Sequence, residues 1–235
     1  MFDHTGHTAA FPVHRELGEV AQTLALPQPH SRFYRHYGKR AFDIGFVLII
    51  LPFLLPLIAG LAALIRLDGG PAFHIQTRIG QTGRRFRCLK LRSMVVDGED
   101  ILTTYLEQHP EERQHWFRNC KLDHDPRVTR IGQILRRASL DELPQFFNVL
   151  RGDMSVVGPR PFLPDEEERY RVAGGGAYYA MRPGITGSWQ VSSRHRSSFE
   201  SRILFDDSYD LKLSLHEDLR LILATISVVL RGTGR

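Results

Sequence analysis

The chain is 235 residues long, with 31 Lys and Arg against 26 Asp and Glu, a net charge of +5 and an isoelectric point of about 9.5. That length accommodates one full domain with an appendage, and the basic balance suits anionic partners: nucleic acid, anionic lipid or phosphorylated substrates. The two cysteines, Cys88 and Cys120, lack CxxC or histidine spacing, which argues against a disulfide framework or zinc site and fits a reducing compartment.

Residues 1–31 carry Pro, His and Thr with little periodicity and read as a mobile N-terminal tail. No signal peptide fits, because the first long apolar run begins only at Ile44. That run, IGFVLIILPFLLPLIAGLAALI, reaches Ile65 without a charge. As a helix at about 1.5 Å per residue it is about 33 Å long, enough to span a bilayer. Two features oppose a plain span. Pro52 and Pro56 lie mid-run, where each removes a backbone donor. Both flanks are also basic, with Arg32, Arg35, Lys39 and Arg40 before the run and Arg66, Arg78, Arg84 and Arg85 after it. Basic flanks prefer the cytoplasmic side, so a helix that enters, breaks at the prolines and returns keeps all eight cations inside. A kinked transmembrane helix is the alternative.

The region after the run predicts two short strands, 72–76 and 85–92, joined by the turn glycines of IGQTG. Residues 97–119 read as two helical pieces divided near Pro110, and Ile131, Ile134 and Leu135 mark a further short helix. Ser139 begins an S-x-x-E capping box, followed by a helix with Leu140, Leu143, Phe146, Phe147 and Leu150 as its buried stripe and Gly152 as its stop. The segment RPGITG, 182–187, reads as a turn able to hold phosphate. Residues 218–230 are apolar on most faces, as core or as an interfacial helix, with Arg220 and Arg231 near the ends.

The chemistry concentrates around Asp141 and Glu142. The capping box puts both in a first helical turn, where anions are favoured, and a purely structural role is the commoner one for such a pair. The surroundings point further. Arg136 and Arg137 precede the pair, Arg151 follows, and Arg160 is held between Pro159 and Pro161. Lys90 and Arg92 alternate on one strand face, and Arg182 opens the RPGITG turn. A carboxylate dyad, several cations and a membrane segment in one short chain suggest phosphate chemistry at a membrane surface.

The ordered series KRAFD, the proline-containing apolar run, LKLRSM, DPRVTRIGQILRRASLDELPQFFNVLRGDMSVVGPRP and RPGITGSWQVSSR resembles the bacterial sugar transferases, monotopic polyprenyl-phosphate phosphoglycosyl transferases, from about Lys39 to Gly234. It is most similar to the short exopolysaccharide-priming galactosyl-phosphate transferases. Leu55 stands where the family often has Ser before the helix-breaking proline, and QVSSR has Ser193 for Gly.

The resemblance implies an α+β fold: a mostly helical small catalytic domain with a short hairpin, anchored by one proline-broken re-entrant membrane helix and interfacial helices. Residues 32–66 would form the basic flank and membrane helix, and 67–235 the catalytic domain on the cytoplasmic face of the inner membrane. It further implies transfer of a sugar phosphate from a UDP-sugar (galactose or glucose) to undecaprenyl phosphate, releasing UMP, with Mg²⁺ as cofactor. Asp141 would be the nucleophile and Glu142 its metal-binding partner. Arg136 and Arg160 would bind phosphate, with Lys90, Arg92 and Arg182 as further candidates. Expected partners are the two substrates, membrane lipid, and a second copy or polysaccharide-assembly proteins. Nucleic acid is not expected, since the cations cluster beside the apolar run and no DNA- or RNA-binding motif is visible. A catalytically idle scaffold for polysaccharide assembly is the alternative function.

Overall fold

A computed structural model describes residues 30–119, 122, 124–192 and 199–230. Most of the expected tail, together with Cys120, Ser193 and Arg231, lies outside them. The fold is mixed and mostly helical, with two small sheets. The helical run His30–Phe33 and Tyr34–Gly38 leads into α1, Lys39–Arg66. The expected interruption at the prolines is absent, because α1 is one continuous helix through Pro52 and Pro56. The prolines cost only the bonds to the carbonyls of Leu48 and Pro52. Packing on either side holds the helix together: Phe46, Val47 and Leu51 join the main core, and Leu54, Ile58, Leu61 and Ile65 join a second cluster with Leu91 and Leu135. The rest of α1 is apolar and exposed, notably Leu48, Ile49, Phe53 and Leu64. It is the one helix among the described residues long and apolar enough to cross a membrane.

The KRAFD segment explains how α1 is seated. Asp43 is fully buried and accepts from the Ser155 hydroxyl (2.9 Å), the Val156 amide (3.0 Å) and Lys39 Nζ (3.3 Å). Lys39 also reaches Asp218 at 2.8 Å, and Arg40 donates to the carbonyls of Val149 and Leu150. Arg35 pairs with Asp210. Three of the cations read as membrane flank are thus bound to the domain.

The predicted hairpin is present as β1, Phe73–Ile79, antiparallel to β2, Arg85–Leu91. Helices α2, Gly98–Gln108, and α3, Pro110–Asn119, match the two predicted pieces, and α4 spans Arg130–Arg137. The capping box does not form. Ser139 is left-handed (φ 55°) and makes no side-chain cap; Leu140–Glu142 is a 3-10 turn, and α5 begins only at Gln145. Pro144 lacks the N–H that would continue the turn into one helix. The expected stripe is half-buried, with Gln145, Asn148 and Val149 more deeply placed. Gly152 stops the helix in the left-handed region, as predicted. A left-handed Ser is strained where a cap is not, so Ser139→Gly should be neutral or stabilising by up to about 1 kcal/mol. A clear drop in the melting temperature of that variant would restore the cap.

RPGITG is not a turn. Gly184–Thr186 forms β4, parallel to β3, Ser155–Val157. Gly184 is required there, since a Cβ would stand 2.1 Å from the Gly158 amide. Short helices α6, Glu167–Val172, α7, Ala177–Ala180, and α8, Ser188–Ser192, precede α9, Arg202–Lys212, and α10, Leu215–Leu230. An aromatic cluster of Phe162, Tyr170 and Tyr178 packs with Ile79 and Ile203. α10 is two-sided: Leu221 is in the core, while Leu215, Leu219, Leu223 and Ile226 form an exposed stripe at helical spacing.

Candidate active site

Thr129 caps α4 through its hydroxyl, which accepts from the Gly132 amide at 2.9 Å. Gly132 lets the helix approach the end of β2, because a Cβ would stand 1.9 Å from the Ser93 carbonyl. This approach brings Arg136 Nε to the Ser93 hydroxyl at 2.9 Å. The left-handed Ser139 then reverses the chain and presents Asp141 and Glu142 toward β2. Lys90 Nζ reaches Glu142 Oε1 at 2.9 Å and Asp141 Oδ2 at 3.7 Å. Arg160 Nη2 stands 3.6 Å from Glu142 Oε1.

Asp141 is only 8 % exposed. Burial pushes its carboxyl above the usual range, and the adjacent Glu142 adds to this; Lys90, Arg136 and Arg160 pull it back down. Burial lowers Arg136 from its ordinary value, while Asp141 and Asp125 favour its charged form. The charge state of Asp141 therefore depends on the cations around it, not on the ordinary acidity of aspartate.

The loop carrying Arg160 is fixed from both sides. Arg78 Nη1 donates to the Pro161 carbonyl at 3.1 Å, and Arg202 donates to the carbonyl of Arg160 itself. Arg202 is buried with its guanidinium 4.9 Å from the Phe199 ring and 5.1 Å from Trp189. Arg78, Cys88, Lys90, Glu142, Gln145 and Arg160 together line a small polar cleft. Glu142 and Arg160 also border a larger, mostly apolar cavity of about 240 Å³.

The structure thus brings Asp141, Glu142, Lys90, Arg136 and Arg160 together. Arg92 and Arg182 are engaged elsewhere. Arg92 lies past the end of β2, so strand alternation with Lys90 no longer holds. Its guanidinium donates to the carbonyls of Pro71 and Ile65 and pairs with Asp68, closing the C-terminal end of α1. Arg182 Nε donates to the Gly152 carbonyl at 2.9 Å. Arg92→Leu should therefore cost about 2–3 kcal/mol of stability by unpairing buried carbonyls, with little change in the kcat/KM of the folded fraction. A large activity loss at unchanged melting temperature would return Arg92 to the phosphate site.

Arg78, read in the sequence only as a flank of the apolar run, and Arg202 escaped the sequence reading as site residues. Arg78 had a usable signal, since the hairpin register pairs Arg78 with Phe86, Gln76 with Cys88 and His74 with Lys90, so all six share one face. Arg202 meets the Arg160 carbonyl across a long sequence separation and leaves no local pattern.

Among the described residues no group of three or more His, Cys, Asp or Glu converges. A cation held by protein alone does not suit the site. Two neighbouring carboxylates, Glu142 lining the cleft and the buried Asp141 beside it, do suit Mg²⁺, which takes oxygen ligands from one or two carboxylates and completes its shell with water and substrate phosphate.

A family model described as bacterial sugar transferase matches residues 34–232. The chain is 47% identical over 210 residues to the UDP-galactose-lipid carrier transferase of Erwinia amylovora, covering 89% of the chain and 43% of that protein. It is 44% identical to the undecaprenyl-phosphate galactose phosphotransferase of Salmonella typhimurium, with the same coverage. Identity to the exopolysaccharide production protein ExoY of Rhizobium meliloti is 42%, covering 84% of the chain and 87% of the relative. The chain therefore spans less than half the length of the first two and most of the third.

Proposed function

The chain belongs to the bacterial sugar transferase family, and on that premise we propose that it transfers a sugar 1-phosphate from a UDP-sugar to undecaprenyl phosphate at a membrane surface, as a first step of exopolysaccharide synthesis. The observation that carries the reading is the Asp141–Glu142 pair, with Lys90 in reach of both carboxylates and Arg136 and Arg160 beside them. Two phosphate-bearing substrates repel each other, and such a cation set offsets that charge at both stages.

An Asp141 oxygen attacks the β-phosphorus of the UDP-sugar. The bond from that phosphorus to the bridging oxygen breaks, its electron pair stays on that oxygen, and UMP leaves. An oxygen of undecaprenyl phosphate then attacks the same phosphorus. The aspartyl phosphate bond breaks, Asp141 is regenerated as a carboxylate, and the sugar remains on a lipid diphosphate. One anhydride replaces another, so no outside energy source is needed. Glu142 is held by Lys90 and Arg160 beside the nucleophile, and Arg160 lies where phosphate oxygens would approach. Mg²⁺, held by Asp141, Glu142 and phosphate oxygens, would supply further neutralisation of phosphate charge.

A one-sided membrane seat supports this chemistry. At about 1.5 Å per residue, α1 is about 42 Å long, yet both ends bind the same domain, through Lys39 and Arg40 at one end and Arg92 at the other. Its exposed flank and the stripe on α10 offer apolar surface to lipid, and the dyad then works near headgroup level. A seat on the cytoplasmic face of the inner membrane, with both ends of the unbroken helix held by the domain, fits these contacts better than a full crossing.

The test is UMP release over a panel of UDP-sugars in membranes containing undecaprenyl phosphate, with galactose and glucose donors expected to lead. Failure of every UDP-sugar to yield UMP or label the protein would favour the idle scaffold.

A further inference from the structure

The apolar cavity beside the dyad contains a polar group that the described residues do not satisfy. Gln190, on α8, is 8 % exposed, and neither its Nε2 nor its Oε1 has a hydrogen-bond partner among the described residues. Burial without partners is costly for an amide, and such groups are rare unless something else supplies the bonds. The amide borders the cavity that also contains Glu142 and Arg160. Gly187 makes room for it, since a Cβ there would stand 3.0 Å from Gln190 Oε1. Two hydroxyls of the same wall are already committed. Thr225 donates to the Leu221 carbonyl at 2.7 Å, so in the 2.6 Å contact between Thr186 and Thr225 the proton comes from Thr186.

We propose that this cavity receives the pyrimidine ring of the nucleotide-sugar donor, with Gln190 pairing to its imide edge. This rests on the transferase reading above. The amide Nε2–H donates to a ring carbonyl, and Oε1 accepts from ring N3–H; uracil presents that donor and acceptor side by side. A planar ring with its polar atoms on the edge and apolar faces suits walls made by Leu143, Phe146, Ile185 and Val191. A hexose fits less well, because its several hydroxyls would face those apolar side chains unpaired. A prenyl chain would match the walls and leave the amide unpaired. Arg160 and Glu142 are shared with the polar cleft that contains Lys90 and Arg78, so a base here connects through its ribose to a diphosphate there.

The experiment compares a UDP-sugar with its N3-methyluridine analogue, following UMP or methyl-UMP release by wild type and by Gln190→Leu, which keeps volume and removes the amide. Wild type should lose roughly tenfold in kcat/KM with the methylated donor. Gln190→Leu should show a similar loss with the natural donor, expressed in its KM, and less than about twofold further loss on methylation. Its KM for undecaprenyl phosphate should not change. Equal use of both donors by wild type overturns the proposal without any variant having to fold. So does a Gln190→Leu effect on the lipid KM alone, or one that varies with the sugar and not the base. Absence of UMP release from every unmodified UDP-sugar would instead defeat the transferase reading itself.

Discussion

Asp141→Asn is expected to abolish UMP release from a UDP-sugar, with a loss of roughly 10⁴-fold or more, the scale of removing a covalent nucleophile. The substitution preserves shape and removes the charge and nucleophilic oxygen. It should not unfold the protein. Asp141 is buried, and that burial already pushes its carboxyl toward the neutral form. A neutral amide at this position avoids the desolvation penalty of a carboxylate. The melting temperature of Asp141→Asn should therefore equal or exceed that of the wild type. Wild-type activity in this variant would remove Asp141 from the nucleophile role, and lost activity with a lowered melting temperature would leave the loss to unfolding.

Lys90→Met is the second large effect. Lys90 contacts both carboxylates, and it is the strongest of the cations holding Asp141 down. Removing it should cost about 10²–10³-fold in kcat, in the range of losing one preorganised electrostatic group. The pH dependence carries the sharper signature. In the proposed reaction Asp141 attacks as a carboxylate, so activity should rise as pH passes upward through its pKa. Lys90 lowers that pKa, and its removal raises it. The acid limb of the pH–rate profile should then move to higher pH in Lys90→Met and much less in Lys90→Arg, which keeps the charge. An acid limb that stays in place would show that Lys90 acts on phosphate alone.

The hairpin, the two helical pieces of 97–119, the short helix before the dyad and the glycine stop at Gly152 were legible because each rests on local periodicity or turn chemistry. The Ser139 cap was misread for a local reason too. The S-x-x-E pattern is satisfied in the sequence, yet Pro144 divides the helix it predicts and Ser139 turns left-handed. Arg92 was misplaced by one residue of geometry, since β2 ends at Leu91 and the side chain leaves the strand face. The flanking cations were counted as a membrane signal, whereas Lys39 and Arg40 are tied into the domain by partners more than a hundred residues away.

The acidic pair, its neighbouring arginines and the long apolar helix can be read from residue order alone, because these are properties of composition and short-range order. Which cations meet the carboxylates was decided only by tertiary structure. Lys90 comes from a hairpin about fifty residues upstream, and Arg160 is aimed by backbone contacts with Arg78 and Arg202. The same holds for Gln190, whose proposed role rests on a pair of hydrogen bonds unmet among the described residues. A bond that is missing has no sequence pattern; it exists only once every other partner has been placed.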